Sequence, residues 1–284
     1  MDPYHQGSLA VQARAGLRDE AHRVGVVIGD GIKPVAAAFL GLQPMLVIGA
    51  ADEDGRMWSS LITGRPGFLR ATGPHSVSVA GRAPDGDPLG GALASGPLPV
   101  GTIALDPRTR RRMRLNGTAH PTARGIGIEA ERVFANCPKY IRRRFLEESA
   151  QDASAGEDVR RGERLTPDQE AFIRAADTFF IASAAPHGVD ASHRGGEPGF
   201  VRVESPVSLA FDDYPGNAMF LTLGNLEKDP RAGLLFLDWA TGATLQVTGA
   251  ARTEFSGRDR RTVHFGITGV VEHPHASPLR WSLA

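Results

Sequence analysis

Ser192, His193 and Arg194 set a hydroxyl, an imidazole and a guanidinium in succession, directly before Gly195 and Gly196. Arginine can grip an oxyanion with two parallel N–H groups, and glycines let backbone amides come close to it. The run is therefore a candidate cradle for a phosphate or carboxylate, with a solvated turn as the plain alternative. Further on, Thr222, Gly224, Asn225 and Lys228 lie in FLTLGNLEKDP, which reads as a strand feeding a short helix. That reading places Thr222, Gly224 and Asn225 at the helix N-terminus, where unpaired amides and the dipole favour an anion, with Lys228 one turn in. Taken alone, Asn225 reads as an N-cap.

The elements that must position these groups follow from an internal repeat. GRPGFLR at Gly64–Arg70 returns as GEPGFVR at Gly196–Arg202, 132 residues later. Leu105-Asp106 and MRLNG from Met113 return at the same offset as Leu237-Asp238 and LQVTG from Leu245. Upstream, Leu46-Val47-Ile48 with Gly55 pairs with Phe179-Phe180-Ile181 and Gly188 at an offset of 133, one residue of loop slippage. Short apolar runs bounded by Gly, Pro and Asp read as strands, and Leu234–Asp238 with Ala243–Val247 reads as a hairpin. In its first-half counterpart, alternation puts Arg110, Arg112 and Arg114 opposite Met113 and Leu115, on what reads as one solvated strand face. The first copy carries Ser60-Leu61-Ile62-Thr63-Gly64 where the second carries Ser192-His193-Arg194-Gly195-Gly196. One anion site per chain is expected.

Helices are few. Ser8 to about Arg23 and Lys33 to about Leu42 have helical composition, and Cys137-Pro138 reads as the opening of a helix over Lys139–Leu146. Thr166-Pro167-Asp168-Gln169 is a helix start with Thr at N-cap, Pro at N1 and Gln at N3. Glu148 to Gly162 is polar and small and reads as a linker. The expected division is 1–147, a linker at 148–164, and 165–284, the last carrying most of the site.

Composition agrees with a mainly β chain. Of 284 residues 41% are hydrophobic and 23% charged, and 34 Gly with 20 Pro demand many turns. Lys+Arg and Asp+Glu balance at 32 each, leaving no global field to collect nucleic acid or an anionic membrane. The single cysteine, Cys137, excludes an internal disulfide, a Cys-based zinc site and a Cys-ligated iron–sulfur cluster. The N-terminal residues show no basic-then-apolar signal, and no apolar run reaches the roughly 20 residues that cross a bilayer. A soluble cytoplasmic protein is expected. His273-Pro274-His275 is the nearest approach to a metal-ligand cluster and falls short of one.

SHRGGEPGFVRV, PGNAMFLTLGNLEKDPRAGLLFLD and ANCPKYI, together with YHQGSLAVQARAG and PLRW, resemble the pyridoxamine 5'-phosphate oxidase-like proteins, in an internally duplicated branch. The resemblance implies two tandem FMN-binding split-barrel domains packed as an intrachain pseudo-dimer, with FMN in the groove between them. Carried over by position, Ser192, His193 and Arg194 would meet the flavin phosphate and ribityl chain. Thr222, Asn225 and Lys228 would form the phosphate-side loop and helix, and Asn217 and Gln246 would lie on groove-lining strands. Asn136, Lys139 and Tyr140 would approach from the first domain; the plain alternative for that motif is a tight turn with Tyr140 packed in the interface. Trp281 reads as a packing residue.

The substrate-phosphate pocket and Arg-x-Pro-like ending of true pyridoxamine phosphate oxidases are missing, so that activity is not implied. There is no G-x-G-x-x-G of a dinucleotide fold and no ferredoxin cysteine spacing. The expected function is an FMN-dependent oxidoreductase exchanging a hydride with a small organic substrate or with NAD(P)H, or served by an external reductase. The alternatives are a non-catalytic binder of flavin, F420 or heme, and an interaction protein whose site has decayed. No residue stands out as catalytic, and the chain could act as a monomer or a homodimer.

Overall fold

The structure, a computed structural model, describes residues 3–135, 138–147 and 158–284. Short apolar runs broken by glycine and proline form strands, and the strands form two sheets. The first contains β1 (Met45–Ala51), β2 (Met57–Thr63), β3 (Leu69–Gly73), β4 (Ser76–Val79), β5 (Leu98–Asp106), β6 (Arg111–Thr122) and β7 (Gly125–Ala135). Its order is β2-β1-β5-β6-β7-β4-β3. Between the sheets in sequence lie β8 (Arg144–Leu146) and β9 (Arg160–Gly162).

The second sheet contains β10 (Thr178–Ala185), β11 (Gly188–Gly195), β12 (Val201–Ser205), β13 (Ser208–Asp212), β14 (Arg231–Leu237), β15 (Thr244–Ser256) and β16 (Arg260–His273). Its order, β11-β10-β14-β15-β16-β13-β12, is that of the first sheet strand for strand. Even the irregularities repeat. Register shifts at Ala71/Gly73 and Asn116/Gly117 recur 132 residues later at Val203/Ser205 and Thr248/Gly249. The chain is thus mainly β and built from two sheets of one design.

Each sheet closes over its own apolar core, centred on residues such as Ile48, Leu69 and Val100 in one and Phe179, Phe211 and Phe236 in the other. A third cluster, including Val47, Leu61, Ile103, Phe180 and Leu235, draws on both and glues the halves together. Two glycines at equivalent places let the backbones meet. A Cβ on Gly101 would lie 2.5 Å from Asp190 Cα, and one on Gly233 would lie 2.4 Å from Trp58 Cα.

The helices are α1 (Gln6–Ala15), α2 (Arg18–Gly25), α3 (Pro34–Gly41), α4 (Gly90–Ser95), α5 (Pro167–Ala175) and α6 (Leu221–Leu226). Thr166 and Gln169 form the expected capping box of α5. The single helix read from Ser8 to Arg23 is two, because Gly16 at φ 70° ends α1. Among the described residues no helix is long and apolar enough to cross a membrane.

Two other readings are corrected. Lys139–Leu146 is not helical: Tyr140 takes a left-handed φ of 64°, and Arg144–Leu146 instead pairs as β8 with β17 (Trp281–Leu283). There Arg144 is held extended by Asp177 at 2.5 Å and by the Trp239 ring, contacts that a helix would forgo. The strand read ahead of the short helix is absent, since Ala218 and Phe220, just before α6, have φ of 59° and 52°, outside the strand region. Residues 160–162, within the expected linker, form a strand that adds to β16.

Candidate functional site

One cleft between the halves is assembled from three sources. β11 ends in Ser192, His193, Arg194 and Gly195; the loop after β13 and the start of α6 contribute Asp213 to Leu223; the first half contributes Arg112 and Arg114 of β6 with Lys139 and Tyr140. The cavity holds about 100 Å³. Three guanidinium groups and one imidazole converge on it.

Arg112 Nη1 donates to His193 Nδ1 at 2.8 Å. A guanidinium has no lone pair to offer, so Nδ1 must be the acceptor and the ring proton sits on Nε2. Burial pushes the His193 pKa well below 6.5, and the charges of Arg112, Arg194 and Arg144 push it the same way. His193 is therefore a neutral Nε2–H donor. Arg194 donates through Nη1 to Ser192 Oγ (2.7 Å) and the His193 carbonyl (3.2 Å), and lies 3.7 Å from Asp213, which Arg261 Nε also contacts at 3.2 Å. Burial lowers the Arg194 pKa while Asp213 raises it, and the guanidinium stays charged.

Arg114 and Asp190 form an ion pair across the halves, both side chains about 5% exposed, with Asn116 Nδ2 donating to the other carboxylate oxygen at 3.0 Å. Among the described residues, Arg114 Nε and Arg194 Nε are buried without a hydrogen-bond partner. Two idle charged donors in one cleft fit an anionic ligand group.

The expected solvated face of Arg112 and Arg114 is thus corrected: it turns inward on the second half, and the second half supplies their partners. A comparison of copies holds the missed signal, since the equivalents of Arg112 and Arg114 are the neutral Thr244 and Gln246. Asp190 and Asp213 also went unremarked.

Of the residues expected at the site, Ser192, His193, Arg194, Asn217, Thr222, Lys139 and Tyr140 line this cleft. Tyr140 sits at its mouth, with its hydroxyl donating to the Pro215 carbonyl at 3.0 Å and its ring 5.5 Å from that of Tyr214. Four others lie elsewhere. Gly224 is the contact point of α6 with α1, where a Cβ would come within 2.5 Å of the Ser8 nitrogen. Asn225, in the last turn of α6 instead of the first, is bonded to His5 Nε2 (2.9 Å) and Ser183 Oγ (3.0 Å). Lys228 is exposed beyond the helix end. Gln246 is buried against the first half instead, where it donates to Ser60 and Asp87. Asn136 lies outside the described residues.

The neutral His193 makes stability depend on pH. Its pKa in the folded chain lies below 6.5, so between the two values the unfolded chain binds more protons, and stability falls as pH drops through 6.5. The melting temperature of the wild type is expected to decline more steeply below about pH 6.5 than that of His193→Gln. Parallel curves would exclude a buried neutral His193.

Residues 165–264 match the family model described as pyridoxamine 5'-phosphate oxidase. No curated protein matches the chain. Among solved structures, HupZ of Group A Streptococcus is 11% identical over 40% of this chain and 97% of its own, with a TM-score of 0.33. A Clostridium acetobutylicum protein related to general stress protein 26 is 10% identical over 41% of this chain and 92% of its own (TM-score 0.30). An FAD-binding protein of Mesorhizobium loti is 11% identical over 40% and 98% (TM-score 0.30).

Proposed function

We propose, from the premise that residues 165–264 belong to the pyridoxamine 5'-phosphate oxidase family, that this protein is a flavin-dependent oxidoreductase holding one FMN in the cleft between β11 and β6. The observation that carries the reading is the pair of idle buried donors, Arg114 Nε and Arg194 Nε, beside a neutral imidazole N–H. Bound flavin would supply hydride transfer to or from an organic substrate or a reduced nicotinamide.

The chain's own residues do the rest. Arg194, steadied by Asp213 and Ser192, would hold the phosphate. Arg112 keeps the His193 proton on Nε2, where it can donate to a polar ligand atom. Phe220, Met219 and Leu221 supply apolar wall that excludes water. Small-molecule sites usually hold about 300 Å³ or more, so the cleft would have to widen to admit a flavin; Tyr140 and Tyr214 both line it. Lys228 and Gln246 have no part in this proposal.

The test is an absorption spectrum of the purified chain before and after FMN and NADPH are added. Flavin bands that bleach with NADPH are the expected result. Flavin bands that persist with every nicotinamide and reductase tried would indicate a binder, a Soret band would indicate heme, and a colourless chain that FMN does not stabilise would overturn the proposal.

A further inference from the structure

The internal repeat places a counterpart of the cleft in the first half, and its chemistry is reversed. Residues 81–91 lead from β4 into α4 as residues 213–223 lead from β13 into α6. They border a cavity of about 520 Å³ whose wall includes Ile62, Pro84, Asp87, Leu93, Pro121 and Ile126. Ile62 stands where the cleft has Arg194, and Asp87 stands where it has Met219. Across the interface, buried Gln246, at the position equivalent to Arg114, donates to Asp87 at 3.0 Å.

Asp85 and Asp87 both line this space, Asp85 exposed and Asp87 half-buried with its carboxylate fixed by hydrogen bonds. Asp87 Oδ1 accepts from Ser60 Oγ (2.6 Å) and the Leu89 amide (2.8 Å), and its Oδ2 accepts from Gln246 Nε2 (3.0 Å). A carboxylate offers about four lone-pair sites, so one on Oδ2 is left over. Among the described residues no cation forms an ion pair with Asp87, and Gln246 Oε1 is buried with no donor. Arg82 lies on the exposed rim, and Arg161 donates to the Gly86 carbonyl at 2.6 Å. Burial raises the Asp87 pKa, outweighing the lowering effects of its hydrogen bonds and of nearby His273.

We infer that this first-half cavity is a separate binding site for a small, mainly apolar amine, whose ammonium group donates to Asp87 Oδ2 while its hydrocarbon body rests on Ile62, Leu93 and Ile126. An ammonium fills the spare lone pair and supplies the missing charge. An anion would meet the Asp87 carboxylate, so the site does not duplicate the phosphate-binding chemistry of the other half.

Benzylamine is the probe, with benzyl alcohol and benzoate as neutral and anionic matches, titrated into the full chain by calorimetry. Saturable binding of benzylamine is expected, weakened about tenfold or more for each match and in Asp87→Asn. Gly90→Phe provides a second variant, because a Cβ at Gly90 meets nothing within 4 Å and the ring would fill the cavity from its rim; it too should abolish binding, and it decides the matter if Asp87→Asn does not fold. Arg194→Ala should bind benzylamine as the wild type does, whatever becomes of flavin. No saturable binding at about 10 mM, equal binding of the three probes, or unchanged binding in Gly90→Phe would overturn the inference.

Discussion

Replacing Arg194 with alanine is expected to weaken FMN binding by about 100-fold or more, the range found when a buried, hydrogen-bonded charge partner is truncated. The guanidinium is largely enclosed, yet it spends Nη1 on Ser192 and the His193 carbonyl and leaves Nε idle. A phosphate would take up the spare donor capacity. The chain should remain folded, because Asp213 keeps its contact with Arg261. Arg194→Lys should fall between the two, since an ammonium keeps the charge but not the planar fork. Fluorescence titration with FMN measures the effect, and circular dichroism checks the fold. An Arg194→Ala protein with wild-type FMN affinity would remove Arg194 from the site.

The second large effect is expected at Asp190. Arg114 and Asp190 face each other across the halves at about 5% exposure, and Asp190 also accepts from Asn116. Asp190→Ala leaves Arg114 as a buried cation without its partner, which costs about 3–5 kcal/mol. Replacing both members with apolar residues of similar size should recover most of that loss, because the pair's attraction is largely offset by its desolvation. Urea unfolding at neutral pH reads both. A single substitution costing under about 1 kcal/mol, as exposed pairs do, would mean that the ion pair contributes little to holding the halves together.

The resemblance to the family rests mostly on second-half segments, with ANCPKYI and YHQGSLAVQARAG from the first half, and the residues matching the family model, 165–264, lie in the second half. The strands were legible because their signals are local: alternating apolar residues, glycine and proline at the turns, and the capping box at Thr166. The misread helix at Lys139–Leu146 shows the limit of such signals. Pro138 and a charged, apolar mixture satisfy a helix's local demands, but β17, Asp177 and Trp239 offer better partners from 33 to well over 100 residues away. The break at Phe220 is similar, since a left-handed φ of 52° is rare for a bulky side chain and the local sequence does not announce it.

By itself the sequence determined the duplication, the strand segments and the run Ser192-His193-Arg194, because repeats and turn chemistry are properties of neighbours in the chain. Only the tertiary structure decided what surrounds that run. It turned the arginines of β6 inward, gave His193 its tautomer through Arg112, moved Asn225 and Gln246 to other networks, and opened a second cavity of opposite polarity around Asp87. Each of these depends on which residues the packing of the two sheets brings within about 3 Å of one another, the range over which a hydrogen bond acts.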